Sequence, residues 1–164
     1  MAKVTLKDLE RVRGIALTTA LAAAKDEAVR EFQKLKSDPL FMAGVTLFWS
    51  GGTRTVTNRT RYASGDPEKI QTFLRFLTQV CGVGEESIRL TLVLPLDVDP
   101  ASAERFWAFA SRSPMSRFYS SSTMKTARTS RTGQGTCTVL VGGRYLREKL
   151  GEWLKILPKA LLER

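Results

Sequence analysis

The chain has 164 residues, of which 43% are hydrophobic and 26% charged, so it is long enough for one domain with a conventional core and too short for two full-sized ones. Lysine and arginine number 26 against 16 aspartate and glutamate residues, a formal net charge of +10 that favours a polyanionic partner, with nucleic acid first. The absence of histidine excludes histidine zinc sites, Ser-His-Asp and Cys-His catalysis, and imidazole pH switches.

The first predicted element is a long helix. Thr5 and Asp8 have the spacing of a capping box, and apolar residues then recur at helical intervals, which predicts a helix over 6–36. Unbroken, it would be about 45 Å long, whereas a domain of this size is about 40 Å across. We therefore expect a break near Gly14 or 18–19, or a helix that reaches beyond its own domain.

Asp38 followed by Pro39 is typical of a helix N-cap with proline in the first turn, and it predicts a second helix over 40–50. Only Thr46 is polar between residues 40 and 49, so this helix must be buried on all sides. We expect it to be shared across a homodimer interface. A central core helix of a monomer is the alternative.

A hairpin is predicted over 53–63, turning at Asn58, because two glycines end the second helix and extended-type residues follow. Its odd positions are all polar or basic: Thr53, Thr55, Thr57, Arg59 and Arg61. A strand pair with this alternation can pack one side on helices and turn the other towards DNA.

Three elements are predicted in the middle of the chain. Asp66 caps a helix whose apolar stripe runs from Ile70 to Val80. Isoleucine or leucine at every second position over 88–96, alternating with Arg89, Thr91, Val93 and Pro95, predicts a strand with one buried face. Asp99 then caps a short helix that contains three aromatic residues.

The remaining elements are strands near 117–123 and 136–141, and a last helix from about Arg144, in which Pro158 marks an end or a kink. Helices combined with an antiparallel sheet that has one exposed polar face predict a two-layer α+β fold. We divide the chain into an N-terminal helical extension at 1–37 and an α+β domain at 38–164.

The positive charge is concentrated. Eleven of the 26 cations lie in two tracts without any acid, and elsewhere 15 cations face all 16 acids. We expect these eleven to converge on one surface, where arginine and lysine neutralise phosphates while the many hydroxyls of the second tract donate to phosphate oxygens. A solvated loop with incidental charge is the alternative for the second tract. The tracts contain Arg54, Arg59 and Arg61, then Arg105, Arg112, Arg117, Lys125, Arg128, Arg131, Arg144 and Arg147.

The remaining composition predicts a cytoplasmic protein. Cys81 and Cys137 fit neither a Cys-x-x-Cys pair nor a disulfide framework, so we expect buried free thiols in a reducing compartment. The N-terminus lacks the apolar region of a signal peptide, and no apolar run approaches the ~18 residues of a membrane span. We therefore expect no membrane partner.

The motifs offer little for catalysis. No glycine-rich phosphate loop is present in the sequence. Asp38, Asp66 and Asp99 each precede a proline, where a capping role is preferred over metal binding. We predict no catalytic residue, no metal site and no cofactor.

Three motifs follow one another between residues 41 and 83. Residues 41–52 read Phe-Met-Ala-Gly-Val-Thr-Leu-Phe-Trp-Ser-Gly-Gly, and a basic hairpin follows. Residues 62–70 then read Tyr-Ala-Ser-Gly-Asp-Pro-Glu-Lys-Ile and lead into the stretch 73–77 and Cys-Gly-Val at 81–83. In this order the motifs resemble the LAGLIDADG homing endonuclease-like family over 40–157. The resemblance implies, for single-motif members, a motif helix packed on the same helix of a second subunit. It also implies a saddle of antiparallel strands in the major groove of double-stranded DNA.

The sequence departs from that family at the catalytic acid. The family's motif helix ends in an acid that holds a divalent metal at the scissile phosphates, where the metal polarises a phosphoryl oxygen. Here the helix ends Trp49-Ser50-Gly51-Gly52, without a carboxylate. We expect cleavage to be lost, with Mg²⁺ involved only if another acid, such as Asp66 or one from the partner, is recruited. The helix at 100–111 is a second departure.

The sequence thus predicts a homodimer that binds double-stranded DNA sequence-specifically. Two alternatives remain: an active metal-dependent homing-type endonuclease, and a maturase-like protein that binds structured RNA through shape and 2′-hydroxyl contacts. The predicted DNA-binding residues are Arg54, Thr55, Thr57, Arg59, Arg61, Arg117, Lys125, Arg128 and Arg131. The predicted dimer contacts are Met42, Ala43, Gly44, Thr46 and Leu47.

Overall fold

The computed structural model describes residues 5–53, 59–125 and 131–163, which form five helices and four strands. Aspartates 38, 66 and 99 cap the helices Pro39–Gly51, Pro67–Arg75 and Pro100–Ser111 as predicted, each accepting a hydrogen bond from a backbone N–H of the first turn. The elements are α1 (Leu6–Leu35), α2 (Pro39–Gly51), β1 (Arg59–Ser64), α3 (Pro67–Arg75, extended by a π turn over Phe76–Val80), β2 (Ile88–Leu94), α4 (Pro100–Ser111), β3 (Ser122–Thr123), β4 (Thr136–Gly142) and α5 (Arg144–Leu162).

The strands form one mixed sheet in the order β1-β4-β2-β3. The three strands β1, β4 and β2 pair antiparallel, which confirms an α+β architecture. On the far side of β1, Gly52 bridges antiparallel to Tyr62, and the N–H of Thr53 donates to the Arg61 carbonyl at 2.9 Å. The predicted turn at Asn58 lies outside the described residues.

β3 differs from its prediction in length and direction. It has only two residues and runs parallel to β2, and Phe118 makes just an isolated bridge to Leu90. The reason is the intervening helix α4, which returns the chain towards the beginning of β2. The following segment must then run alongside β2 in the same direction, as in other crossover connections.

The sheet has two chemically distinct faces because side chains alternate along each strand. The burial of β2 alternates through all seven residues, and Arg59 and Arg61 of β1 are exposed on either side of buried Thr60. The helix-facing positions are Thr60 and Tyr62 of β1, Cys137, Val139 and Val141 of β4, and Ile88, Leu90, Leu92 and Leu94 of β2.

An aromatic cluster joins the helices to this inner face. Phe41 of α2 lies edge-on to Trp153 of α5, with ring centroids 5.0 Å apart. The ring centroid of Phe73 in α3 lies 4.5 Å from that of Tyr62 in β1 and 5.7 Å from that of Phe76. All of these rings are buried, so α2, α3 and α5 share one core with the sheet.

Helix α1 runs unbroken over 30 residues, so it reaches beyond the domain instead of breaking. Its C-terminal half packs on α5 through Ala24, Ala28 and Phe32, which are fully buried. The Trp153 Nε1–H donates to the Ala28 carbonyl at 2.9 Å, and Lys149 Nζ lies 2.6 Å from Glu31 Oε2. Only the N-terminal part of α1 therefore extends away from the core.

No helix in the described part of the chain is both long enough and apolar enough to span a membrane.

Gly44 lets α2 and α3 approach closely. A β-carbon at this position would overlap the ring of Phe76. We predict that Gly44→Ala lowers the free energy of unfolding by about 1–3 kcal/mol, because overpacking a rigid core outweighs the better helix propensity of alanine. Urea denaturation followed by circular dichroism measures this change.

Gly151→Ala in α5 is the matched control, since nothing lies within 4 Å of the added methyl group. It should raise stability by about 0.5–1 kcal/mol. Equal responses of the two variants would contradict the close approach at Gly44.

Both cysteines are free thiols, but only Cys137 is buried as predicted, whereas Cys81 is half-buried. Cys137 is fully buried on the inner face of β4, and burial raises its pKa well above the usual range. Burial also raises the pKa of Cys81 to about 12. Both groups are therefore protonated at pH 8 in the folded protein.

We predict that neither thiol reacts promptly with a chromogenic disulfide reagent at pH 8, because the thiolate is the nucleophile. Both should react once denaturant unfolds the chain. Stoichiometric reaction within seconds under native conditions would contradict the burial of these groups.

Candidate nucleic-acid interface

The outer face of the sheet is formed by the side chains that alternate with the core residues. Strand register places Arg61 of β1, Leu140 of β4 and Arg89 of β2 in one row across three strands. Neighbouring strands are about 4.8 Å apart, so the α-carbons of the two arginines are about 10 Å from each other. Arg59 lies two residues along β1 from Arg61, opposite Gly142.

Hydroxyl side chains continue this face towards the other end of the strands. Thr138 pairs with Thr91, and Thr136 pairs with Val93, which is in turn opposite Ser122 of β3. Hydroxyls donate to phosphate oxygens, and arginine binds both phosphates and guanine edges. The face thus has a basic end and a hydroxyl-rich end.

None of the described outer-face positions of these strands is acidic. The Arg89 guanidinium donates to the backbone carbonyls of Glu86 at 2.6 Å and Ile88 at 3.0 Å. Leu140 is only 7% exposed although it lies on this face. Its cross-strand neighbours, Arg61 and Arg89, have apolar stems long enough to cover it.

The predicted DNA-binding residues are not all on this face. Arg59 and Arg61 are, and both are exposed. Lys125 is also exposed, immediately after Met124, whose N–H donates to the Leu94 carbonyl at the end of β2. Arg54, Thr55, Thr57 and Arg128 lie outside the described residues.

Arg117 and Arg131 are engaged elsewhere. Arg117 Nη2 lies 2.6 Å from Glu85 Oε2, in a cleft that also includes Ile88, a residue of the helix-facing side of β2. Arg131 Nη2 lies 3.7 Å from the Asp66 carboxylate beside the start of α3. The expectation that the eleven cations converge on one surface is therefore wrong. Arg117 lies on the helix side of the sheet, where Arg105 of α4 and Arg112 at the end of α4 also lie.

Sequence reasoning missed Arg89, Thr91 and Thr138 as members of the basic face. The alternation that predicts β2 already places Arg89 and Thr91 opposite its leucines. The pairing of β2 with β4, and of β4 with β1, is long-range information that no local pattern contains. Without it, the two arginine-bearing strands could not be placed on one sheet face.

The predicted dimer helix α2 has one open face. Met42, Ala43 and Leu47 are half-buried and Thr46 is exposed, and all four line a shallow groove of about 510 Å³ together with residues of α3. Gly44 differs from this expectation, because it faces Phe76 inside its own subunit. Burial of α2 on all sides is likewise not observed in the single chain.

The end of α2 does not fit a divalent metal. Ser50 there donates its hydroxyl hydrogen to the Leu47 carbonyl, and Gly51 and Gly52 follow without a carboxylate. Within 5–53, 59–125 and 131–163, no group of three or more cysteine, aspartate or glutamate side chains could hold a metal ion. We therefore assign no reaction step to a metal.

Comparisons of the chain with known protein families, with curated proteins and with solved structures found no match.

Proposed function

We propose that the protein is a double-stranded DNA-binding protein that acts through the outer face of β1, β4 and β2. The observation that carries this proposal is the grouping of Arg59, Arg61 and Arg89 on a sheet face whose described positions lack acids. The threonines beside them, Thr91, Thr136 and Thr138, supply neutral donors. A twisted antiparallel sheet with such a face is suited to a duplex groove, where arginines read base edges and hydroxyls contact the backbone.

The proposal also includes a homodimer. The open face of α2 groups apolar side chains beside one exposed hydroxyl, and the neighbouring α3 contributes Asp66, Glu68 and Lys69 to the same groove. A two-fold axis through this face would place two copies of the basic sheet side by side. The resemblance to single-motif LAGLIDADG proteins supports the same arrangement. The departure from that family at the end of α2, where no carboxylate follows Trp49, is the basis for proposing binding without cleavage, and the two free cysteines are the basis for proposing a cytoplasmic location.

Selection of preferred duplexes from a random pool identifies the probe for all binding experiments. A palindromic consensus would support both duplex recognition and two-fold symmetry. If folded RNA outcompetes every selected duplex at matched salt, the DNA-binding proposal is wrong and the RNA alternative gains support.

We predict that Arg61→Ala weakens binding to the selected duplex by about 1–3 kcal/mol, roughly 5- to 150-fold, because the variant loses a base or phosphate contact in the groove. Arg105→Ala is the charge-matched control, since Arg105 is an exposed residue of α4 in the helix layer. Fluorescence anisotropy titrations at fixed salt measure both. Equal losses for the two variants would mean that net charge, not the sheet face, determines binding.

We predict that Thr46→Glu converts a dimer to a monomer, because each copy would add a carboxylate to a groove that already holds Asp66 and Glu68 against a single cation, Lys69, and like charges would meet across the symmetry axis. Thr19→Glu makes the same chemical change at an exposed position of α1 and should leave the dimer intact. Analytical ultracentrifugation at micromolar concentration distinguishes the species. A wild-type protein that sediments as a monomer on its selected duplex refutes the proposed dimer.

A further inference from the structure

A polar cleft of about 460 Å³ lies in the helix layer, away from the outer face of the sheet. Its walls come from α3, from the beginning of β2, from the C-terminal end of α4 and from the turn at Met115–Arg117. Ile88, one of the residues that line it, has its side chain on the helix-facing side of β2. The cleft is therefore separate from the candidate DNA interface, and its volume is within the range of small-molecule sites.

The cleft has an excess of positive charge. Three arginines line it, Arg75 of α3, Arg112 of α4 and Arg117, against a single carboxylate, Glu85. The Glu85 carboxylate pairs with Arg117, whose side chain is only 17% exposed. No acid of the described residues forms an ion pair with Arg75 or Arg112. Two guanidinium groups in the cleft are thus left without a counter-charge from the described protein.

Two buried serines flank Arg112 at the end of α4. Arg112 has a left-handed backbone conformation, with φ of 54°, and ends the helix as glycine commonly does. Ser111 and Ser113 are its neighbours in the chain, each is only 5% exposed, and all three residues line the cleft. The Ser111 hydroxyl has no hydrogen-bond partner among the described residues.

The polar groups in the rest of the wall are neutral donors and acceptors. Gln71, Thr78 and Gln79 of α3 line the same cleft as the arginines. Arginine and serine together are the residues that bind phosphate oxygens most directly, because the guanidinium fork donates two parallel hydrogen bonds and the hydroxyl adds a third. Amide and hydroxyl groups then suit the polar body of a phosphorylated molecule.

We propose that this cleft is a binding site for the phosphate group of a small phosphorylated molecule, held by Arg75, Arg112 and the serines beside Arg112. Glu85 limits the affinity of this site, since its carboxylate occupies Arg117 and repels an incoming anion. The site needs no metal and does not depend on nucleic acid.

The test uses the full chain and inorganic phosphate as the probe. Thermal unfolding is followed in phosphate and in chloride at equal ionic strength and pH, and isothermal titration calorimetry gives the affinity. Because phosphate also stabilises folded proteins generally by exclusion from their surface, the variants are needed to distinguish specific binding.

Arg75→Gln and Arg112→Gly should each lower phosphate affinity at least about tenfold, as expected for the loss of a charged hydrogen bond. Glycine suits the left-handed conformation at position 112, so that variant remains folded. Arg105→Gln on the same layer is the control and should bind like the wild type. Phosphate stabilisation of equal size in all four proteins, or no phosphate binding by the wild type, overturns the proposal.

The variant Glu85→Gln should change phosphate affinity in the opposite direction. Removing the carboxylate frees Arg117 and should raise phosphate affinity, an effect that a merely structural role of Glu85 would not produce. An unchanged or lower affinity would contradict the role given to this residue.

A nucleic-acid backbone is the other source of the same phosphate chemistry. If the cleft binds a free phosphorylated molecule, the double variant Arg75→Gln/Arg112→Gly should bind the selected duplex within about twofold of the wild type. A duplex affinity lowered tenfold or more would overturn the small-molecule source and assign the cleft to the backbone. The phosphate titrations contain no nucleic acid, so their result is distinguishable from any failure of duplex binding.

Discussion

The strict alternation of side chains along three antiparallel strands is the constraint on which the rest of the structure depends. One face of β1, β4 and β2 packs against the aromatic cluster of α2, α3 and α5, so the other face must turn outwards. A slip of one residue in β1 would bury Arg59 and Arg61 and expose Tyr62. The packing of the core therefore fixes the orientation of the basic residues, and no ion pair is needed to hold them outward.

Local patterns predict most of the helices and the alternation, for identifiable reasons. Aspartate before proline defines the beginnings of α2, α3 and α4, because both the side-chain cap and the fixed proline φ favour a first turn there. The alternating leucines of β2 identify its buried face before any partner strand is known. The same alternation of odd and even positions predicts that Arg59 and Arg61 lie on the exposed face of their strand.

Local sequence patterns do not predict which strands pair or which residues far apart in the chain come into contact. The parallel direction of β3 follows from the path of α4, and the cross-strand pairing of Arg61 and Arg89 through Leu140 follows from sheet order. The inward position of Gly44 depends on the path of Phe76, which belongs to a different helix. In each case the deciding contact joins residues far apart in the chain.

The positive charge is divided between two surfaces. Arg59, Arg61 and Arg89 occupy the sheet face, whereas Arg75, Arg112 and Arg117 line a cleft in the helix layer. The net charge of +10 therefore does not come from a single basic surface. The two groups also differ chemically, since the sheet arginines stand beside threonines on an open face and the cleft arginines stand beside buried serines.

Arginine footprinting tests the central claim about the sheet face most directly. The protein is treated with a dicarbonyl reagent that modifies arginine, free and bound to its selected duplex, and modification is mapped by mass spectrometry. We expect the duplex to protect Arg59, Arg61 and Arg89 while Arg105 and Arg112 react as in the free protein. Protection of Arg105 and Arg112, with Arg59 and Arg61 still reactive, would contradict it.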